Sequence, residues 1–425
     1  MAGLLKPITA LLIAAAILLM GNGLLTVLLP LKGDIAGFSR LEIGLMGSSY
    51  YAGLMAGCLL APLIIARVGH IRSFVAFTSV ATITPLMHAI WTDPAAWIAL
   101  RALNGLCFAG LFMGIESWLT GSSTISTRGR VLASYTVINL TVVTLGMQMM
   151  ALPSPKGFEL FSLVAILYSL AAVPVAVTKT HAPVPPKTAK LRLVWLFNVS
   201  PAALIGCFCV GLANSGFWSL GPLYGRSAGF SLAEVAMFMT AAVLGGAASQ
   251  WPAGYLSDRV GRRPLLIVLS LTAAAAGIGL YILSTSSPSA IIPIAVLYGA
   301  STFPIYNVCV AHANDLVKKK RAIEVSSGLL LTFSIGAVIG PLVAAAAMST
   351  AGHGGLFLYS AAAHVLILAV MLLRAQLRPK LPIENKEGFV AVPGTTPSVF
   401  ELDPRSKASA GVAQAMQPAE VSKVS

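Results

Sequence analysis

The stretch Leu29–Ile43, LPLKGDIAGFSRLEI, returns 192 residues later as Gly221–Val235, GPLYGRSAGFSLAEV. Pro30, Leu31, Gly33, Gly37, Phe38, Ser39 and Glu42 recur as Pro222, Leu223, Gly225, Gly229, Phe230, Ser231 and Glu234. Asn22 recurs as Asn214, and without a gap the same offset carries Arg67-Val68-Gly69 onto Arg259-Val260-Gly261. Agreement at one constant offset marks an internal duplication, the weak symmetry that membrane carriers often keep. Six apolar runs separate the copies, an even number, so equivalent helices run in the same direction.

Those runs lie near residues 8–30, 42–66, 73–91, 95–119, 131–152 and 158–178, and a second set near 199–222, 232–256, 265–284, 289–312, 325–348 and 355–374. Of the 425 residues 57% are hydrophobic and 10% charged, whereas a soluble domain carries about 25% charge. Twelve spans of roughly 20 residues need about 240 positions, which this apolar fraction supplies. The expectation is an all-α integral membrane protein with twelve transmembrane helices in two six-helix parallel repeats. Residues 1–178 form one bundle and 199–374 the other, joined by a Pro- and Lys-containing connector at 179–198. The polar stretch 375–425 buries too little apolar surface to fold alone and reads as a disordered tail. The first run has a counterpart in the second half, so it reads as a retained helix and not as a cleaved signal.

A net charge of +14 raises the question of a nucleic-acid partner, but the basic residues sit in short groups between apolar runs. Counting loops from a cytoplasmic N-terminus places Lys6, Arg67, Arg72, Arg128, Arg130, Lys179, Lys187, Lys190, Arg192, Arg259, Arg262, Arg263, Lys318, Lys319, Lys320 and Arg321 inside. Only Lys32, Arg40, Lys156 and Arg226 fall outside. Sixteen against four is the Lys/Arg asymmetry that orients helical membrane proteins. Both termini are thus expected in the cytoplasm, with the bilayer and not nucleic acid as the surrounding partner. Trp91, Trp97, Trp118 and Trp195 fall near run ends and read as interface markers.

The five cysteines lie within apolar runs and read as small packing residues. The six histidines are dispersed without H-E-x-x-H spacing, and no G-x-x-x-x-G-K-[ST] loop is present, so neither a metal-dependent membrane enzyme nor an ATP-driven pump is indicated. No enzymatic activity, cofactor or metal is expected.

At the second copy the loop after the second helix reads GYLSDRVGRRP, Gly254 to Pro264. It resembles the G-x-L-x-D-R-x-G-R-[RK] loop signature of the major facilitator superfamily, and with the twelve spans and the parallel repeat the resemblance covers residues 1 to about 375. ESWL at Glu116 and AHAND at Ala311 resemble the bacterial YcaD-like branch. In the first half the loop reads PLIIARVGHIR, with Ala66 in place of the aspartate and His70 and Ile71 in place of basic residues. The antiporter-type glycine-proline motif is missing from the fifth helix, so antiport is not carried over. A related Gly336-x-x-x-Gly340-Pro341 lies in the eleventh instead.

The resemblance implies a secondary active transporter in the bacterial inner membrane, a monomer that moves a small-molecule substrate by alternating access, with protons as the coupling ion at the superfamily level. A receptor or scaffold on a transporter frame is the other reading. In this superfamily the first, fourth, seventh and tenth helices line the central cavity. They supply Asn22, Arg101, Asn104, Asn214, Trp218, Tyr306 and Asn307 as candidate substrate-binding residues. An amide facing hydrocarbon is costly, so Asn22 and Asn214 point to the bundle interior, where they join helices or contact solute. Arg101 stands in WIALRALNGLCFAG about seven residues into its helix, roughly 10 Å. It either snorkels or pairs structurally, or it binds an anionic group or modulates a proton site.

Candidate gating residues are Arg67, Gly69, Glu116, Arg130, Asp258, Arg259, Gly261, Arg262, Arg263, Asp315 and Glu324. By analogy with the family, Asp258 is expected beside the start of the fifth helix near Arg128 or Arg130, unless it merely caps its own loop. Arg67 is expected to turn to Glu324. Glu116 and Asp315 read first as a gate or anchoring ion pair. Gly53 with Gly57 and Gly110 with Gly114 read as close-approach surfaces between helices.

Overall fold

Each copy of the repeated stretch folds into the same tight joint between two antiparallel helices. Helix α1 (Ala2–Ile35) ends and α2 (Arg40–Val68) begins around Gly37, whose φ of 84° suits a residue without a Cβ. The Phe38 amide donates back to the Gly33 carbonyl at 2.9 Å, and its ring packs over Gly33. Ser39 then caps α2: its hydroxyl accepts from the Glu42 amide while the Ser39 amide donates to the Glu42 carboxylate at 2.7 Å, a reciprocal capping box. The second joint repeats this with Gly229 at φ 87°, Phe230 over Gly225, and the Ser231–Glu234 box. The duplicated residues are thus those the joint requires.

The computed structural model describes residues 2–124, 127–151, 157–178, 192–317, 321–377 and 389–402. After α2 come α3 (His70–Ile90), α4 (Pro94–Gly121), α5 (Arg128–Gln148), α6 (Glu159–Ala176), a short α7 (Leu193–Val199), α8 (Pro201–Ser227), α9 (Leu232–Val260), α10 (Arg262–Ile282), α11 (Pro288–Asn314), α12 (Ala322–Thr350) and α13 (Gly355–Leu377). All but α7 are long and apolar enough to cross a membrane, twelve among the described residues. The connector assigned to 179–198 therefore ends inside a helix, because Leu193–Val199 is an apolar stretch that packs on α8 and α12. Lys156, Lys179, Lys187, Lys190 and Lys318–Lys320, which contribute to the Lys/Arg asymmetry, lie outside the described residues, as do 378–388 and 403–425 of the tail.

The two bundles are packed alike. Helix α1 meets α5 and α6, α2 meets α4, and α3 meets α4 and α6; α8 meets α12 and α13, α9 meets α11, and α10 meets α11 and α13. Glycines set the closest pairs: Gly53 lies on the Ala102 carbonyl and Gly105 on the Tyr50 carbonyl between α2 and α4, while Gly245 lies on Val296 and Gly299 on Ala242 between α9 and α11. Gly57 likewise abuts Leu106. Gly110 differs from expectation, since it accommodates the Phe77 ring of α3 and not a helix backbone. Two of the tryptophans also depart from an interfacial reading. Trp97 is buried among Phe38, His88 and Phe161, and Trp118 is buried beside His70.

The α2, α4, α9 and α11 C-termini and the α3, α5, α10 and α12 N-termini share one end of the molecule. Arg67, Arg72, Arg128, Arg130, Arg259, Arg262, Arg263 and Arg321 gather there; it is called the basic end below. Direct contacts between the bundles gather at the opposite end. Arg40 donates to the Met348 carbonyl, Gln148 donates to the Thr240 hydroxyl at 2.8 Å, and Gly44 and Gly47 press on Pro341. At the basic end the bundles are bridged by residues 389–402, of which Pro397–Glu401 form a turn of 3-10 helix against α4 and α12. Disorder throughout 375–425 is thus not what this segment shows. Val392, Val399, Phe400 and Leu402 are buried, an apolar island that the polar average of the tail conceals.

Candidate functional site

Between the bundles lies a cavity in two lobes of about 320 and 230 Å³, which together fall within the range that encloses small molecules. The larger lobe takes Asn22 and Thr26 from α1, Tyr50 and Tyr51 from α2, Arg101 from α4 and Ser219 from α8. The smaller takes Asn214 from α8, Gln250 from α9, Phe303, Tyr306 and Asn307 from α11, and Phe333 from α12. Asn139 of α5, Trp218 of α8 and Gly394 of the tail border both.

Arg101 is the one basic side chain among the residues lining the two lobes. Its guanidinium carbon stands 4.2 Å from the centre of the Tyr50 ring, a cation–π arrangement that stabilises a cation more strongly once it is removed from water. One nitrogen donates to Asn104 Oδ1 over a long 3.4 Å, and Asn104 in turn donates to the Thr84 hydroxyl at 3.0 Å. Among the described residues no carboxylate lies within ion-pair distance of Arg101, and none lines either lobe. A guanidinium so placed retains donors for an anion from outside the protein.

The second lobe is aromatic and amide-rich. The Trp218 ring stacks on Phe303 at 6.1 Å with planes 10° apart, and Tyr306 meets Phe333 edge-on at 5.1 Å. Among the described residues Asn214 Oδ1 and the Tyr306 hydroxyl have no hydrogen-bond partner, a state that costs energy unless a solute or water completes it. Asn307 donates to Gln250 at 3.2 Å and accepts the Val392 amide of the tail at 3.2 Å.

Of the expected substrate-binding residues, Asn22, Arg101, Asn214, Trp218, Tyr306 and Asn307 line the cavity, whereas Asn104 is buried behind Arg101. Asn104 lies one helical turn from Arg101, accepts from its guanidinium and donates to Thr84 of α3, and it does not line either lobe. Tyr50, Tyr51, Asn139 and Gln250 went unforeseen. The signal for Asn139 and Gln250 is the same amide-in-a-span pattern that marks Asn22 and Asn214, but they stand on α5 and α9, outside the helices that the resemblance assigns to the cavity.

The gating candidates are arranged differently from expectation. Asp258 does not reach the start of α5. It pairs with Arg262 at 2.5 Å within its own loop and accepts the Phe389 amide of the tail at 3.1 Å on each oxygen. Arg262 also bonds Asp315 at 3.0 Å, both side chains being buried, and donates to Ser257 at 2.8 Å. Arg67 is exposed, and Glu324 pairs with Arg192 of the connector at 3.5 Å and not with Arg67. Glu116 is fully buried and accepts the hydroxyls of Thr395 and Thr396 instead of a basic partner. Gly69 and Gly261, at φ 85° and 106°, make the turns into α3 and α10. Arg259 lies over the Tyr255 ring at 4.3 Å, Arg130 is exposed, and Arg263 is half-buried. The His70 that stands for a basic residue is buried and bonded to Ser117 at 2.9 Å.

Comparison with known proteins agrees with this architecture. The chain is 27% identical over 381 residues to the MFS-type transporter YcaD of Escherichia coli and to that of Shigella flexneri, covering 88% of this chain and 97% of the relative. Its fold is similar to that of the nucleoside transporter NupG, with a TM-score of 0.71 at 15% identity over 88% of this chain and 99% of the other. It is also similar to a bacterial homologue of the human lysosomal transporter Spinster, solved inward-facing and occupied, with a TM-score of 0.74 at 15% identity over 89% of this chain and 97% of the other. The profile of the Major Facilitator Superfamily matches residues 11–312 and 203–414. This chain, a multi-pass membrane transporter, belongs to the Major Facilitator Superfamily.

Proposed function

We propose that the protein is a secondary active transporter of a small organic anion, which it carries by rocking of the two bundles about the central cavity. The observation that supports the anion is Arg101, held in the cavity wall against Tyr50 with no carboxylate partner among the described residues. A buried cation without a counter-ion is costly, and a solute carboxylate, sulfonate or phosphate would supply one. Bidentate binding suits the guanidinium fork. Alternating access is supported by the asymmetry of the bundle contacts, direct at one end and bridged by the tail at the other. The Lys/Arg bias favours a cytoplasmic basic end, and on that reading the arrangement is inward-facing.

A thermal-stability screen of the purified protein against organic anions and neutral analogues tests the reading, since a ligand that binds the folded state at about 100 times its Kd adds roughly 2.7 kcal/mol. An anion should raise the melting temperature of the wild type and leave Arg101→Leu unmoved. The same anion should then cross proteoliposome membranes, and imposing a pH gradient decides whether protons drive it. Stabilisation only by neutral solutes, equal in wild type and Arg101→Leu, would overturn the anion assignment.

A further inference from the structure

Residues 389–402 lie where a transported solute would have to pass between the cavity and the basic end. They are neutral but for Glu401, and they are held by both bundles. In the first bundle Glu116 of α4 accepts the Thr395 and Thr396 hydroxyls. In the second, Asp258 accepts the Phe389 amide and Asn307 the Val392 amide. Between these anchors the chain narrows to Pro393-Gly394, and Gly394, free of a side chain, lies against the Tyr306 ring and borders both lobes.

We propose that residues 389–402 are a tethered plug that occupies the open end of the cavity and competes with solute. Three features of the site match a ligand and not a chance contact. Glu116, Asn307 and Asp258 come from separate helices, and each spends an acceptor on the segment. The apolar residues Val392, Val399 and Phe400 are at most 3% exposed, so the segment has a core face. Pro393 and Pro397 restrict the free segment, which reduces the entropy lost on docking. Tethering raises the local concentration to the millimolar range, so weak docking suffices to hold the plug and leaves it able to leave.

The plug also has a consequence for the cycle. Closing the basic end brings α4 toward α12, and the turn Pro397–Glu401 sits between them. The segment must therefore withdraw before that end can close, which makes tail release a step at which transport is regulated. The competition rests on reading the cavity as the solute path, but occupancy can be measured without any solute.

The test is the rate at which a maleimide labels a cysteine placed at Ala247, which lines the smaller lobe. Three proteins are compared: the full chain, a chain ending at residue 388, and the full chain with Thr395→Val and Thr396→Val. The parent chain, whose own cysteines are buried apart from half-buried Cys58, gives the background. A plug that leaves about a tenth of the molecules open predicts labelling about tenfold faster in the truncated chain, with the double variant in between. A synthetic peptide of residues 389–402 should slow labelling of the truncated chain again. Equal rates in the full and truncated chains, both monodisperse, would overturn the proposal, as would a peptide without effect.

Discussion

Arg101 has a partner for its face, Tyr50, and a tether for one nitrogen, Asn104, yet no opposing charge among the described residues. Arg101→Leu should leave expression and the melting temperature nearly unchanged while solute flux falls by an order of magnitude or more. Arg101→Lys should recover only part, because an ammonium lacks the planar fork; full flux in the leucine variant would contradict the assignment. Asp315 is the opposite case. It is buried against Arg262, which keeps Asp258 as a second partner, so Asp315→Asn should destabilise the protein by at most about 3 kcal/mol, the order found when a buried charge is left wholly uncompensated. Thermal unfolding in detergent would check it, and a larger loss would contradict it. Much of the cavity was legible at this scale, because an amide or arginine inside an apolar run has few physical reasons to be there. Tyr50 and Tyr51 were not, because a tyrosine serves equally as a core, interface or cavity residue. Nor was the partner of Glu116: sequence places the carboxylate near basic loops, while the threonines that bond it lie 279 and 280 positions away.

At the scale of helices, the recurring residues of the two joints explain why the duplication stayed visible there and faded elsewhere. The fold could be read from the sequence because span length, charge bias and joint chemistry are all local properties. Apolar surfaces facing lipid can change freely, whereas a positive-φ glycine, a ring over a small residue and a capping box leave few substitutes. Ser39→Ala and Ser231→Ala should each cost about 1 kcal/mol. They lie in different bundles, so the double variant should lose about 2 kcal/mol, with serine-to-threonine changes nearly neutral. Unfolding midpoints that move by less for the pair than for either alone would show that the caps are coupled or frayed. The order of the segment 389–402 escaped this kind of reading for the converse reason. Its structure comes from docking onto distant helices and not from any local pattern, and composition averaged over the whole tail hides an apolar island of a few residues.

In the whole molecule, the contacts made by Arg40, Gln148, Gly44 and Gly47 hold one end together while the tail keeps the basic ends of the bundles bridged but apart. The proposed rocking motion would tie these two facts to each other, since opening the first end would close the second. Asp258 and Glu116, now engaged by the tail, would be freed on its release, and the closed basic end is where Asp258 could meet the start of α5. A covalent tie across the first end should therefore prevent closure of the second. Gln148 and Thr240 are joined by a 2.8 Å hydrogen bond, so cysteines at both positions can be bridged by a short thiol cross-linker without moving either helix far. Spin labels at Arg130 and Arg259, both exposed at the basic end, report the separation of the bundles there. Before cross-linking, the chain ending at residue 388 should show two populations, one as far apart as in the tail-bound state and one shorter. After cross-linking only the longer should remain, and reduction should bring the shorter one back. A shorter population that persists in the fully cross-linked protein would mean that the two ends move independently, and rocking of rigid bundles would have to be abandoned.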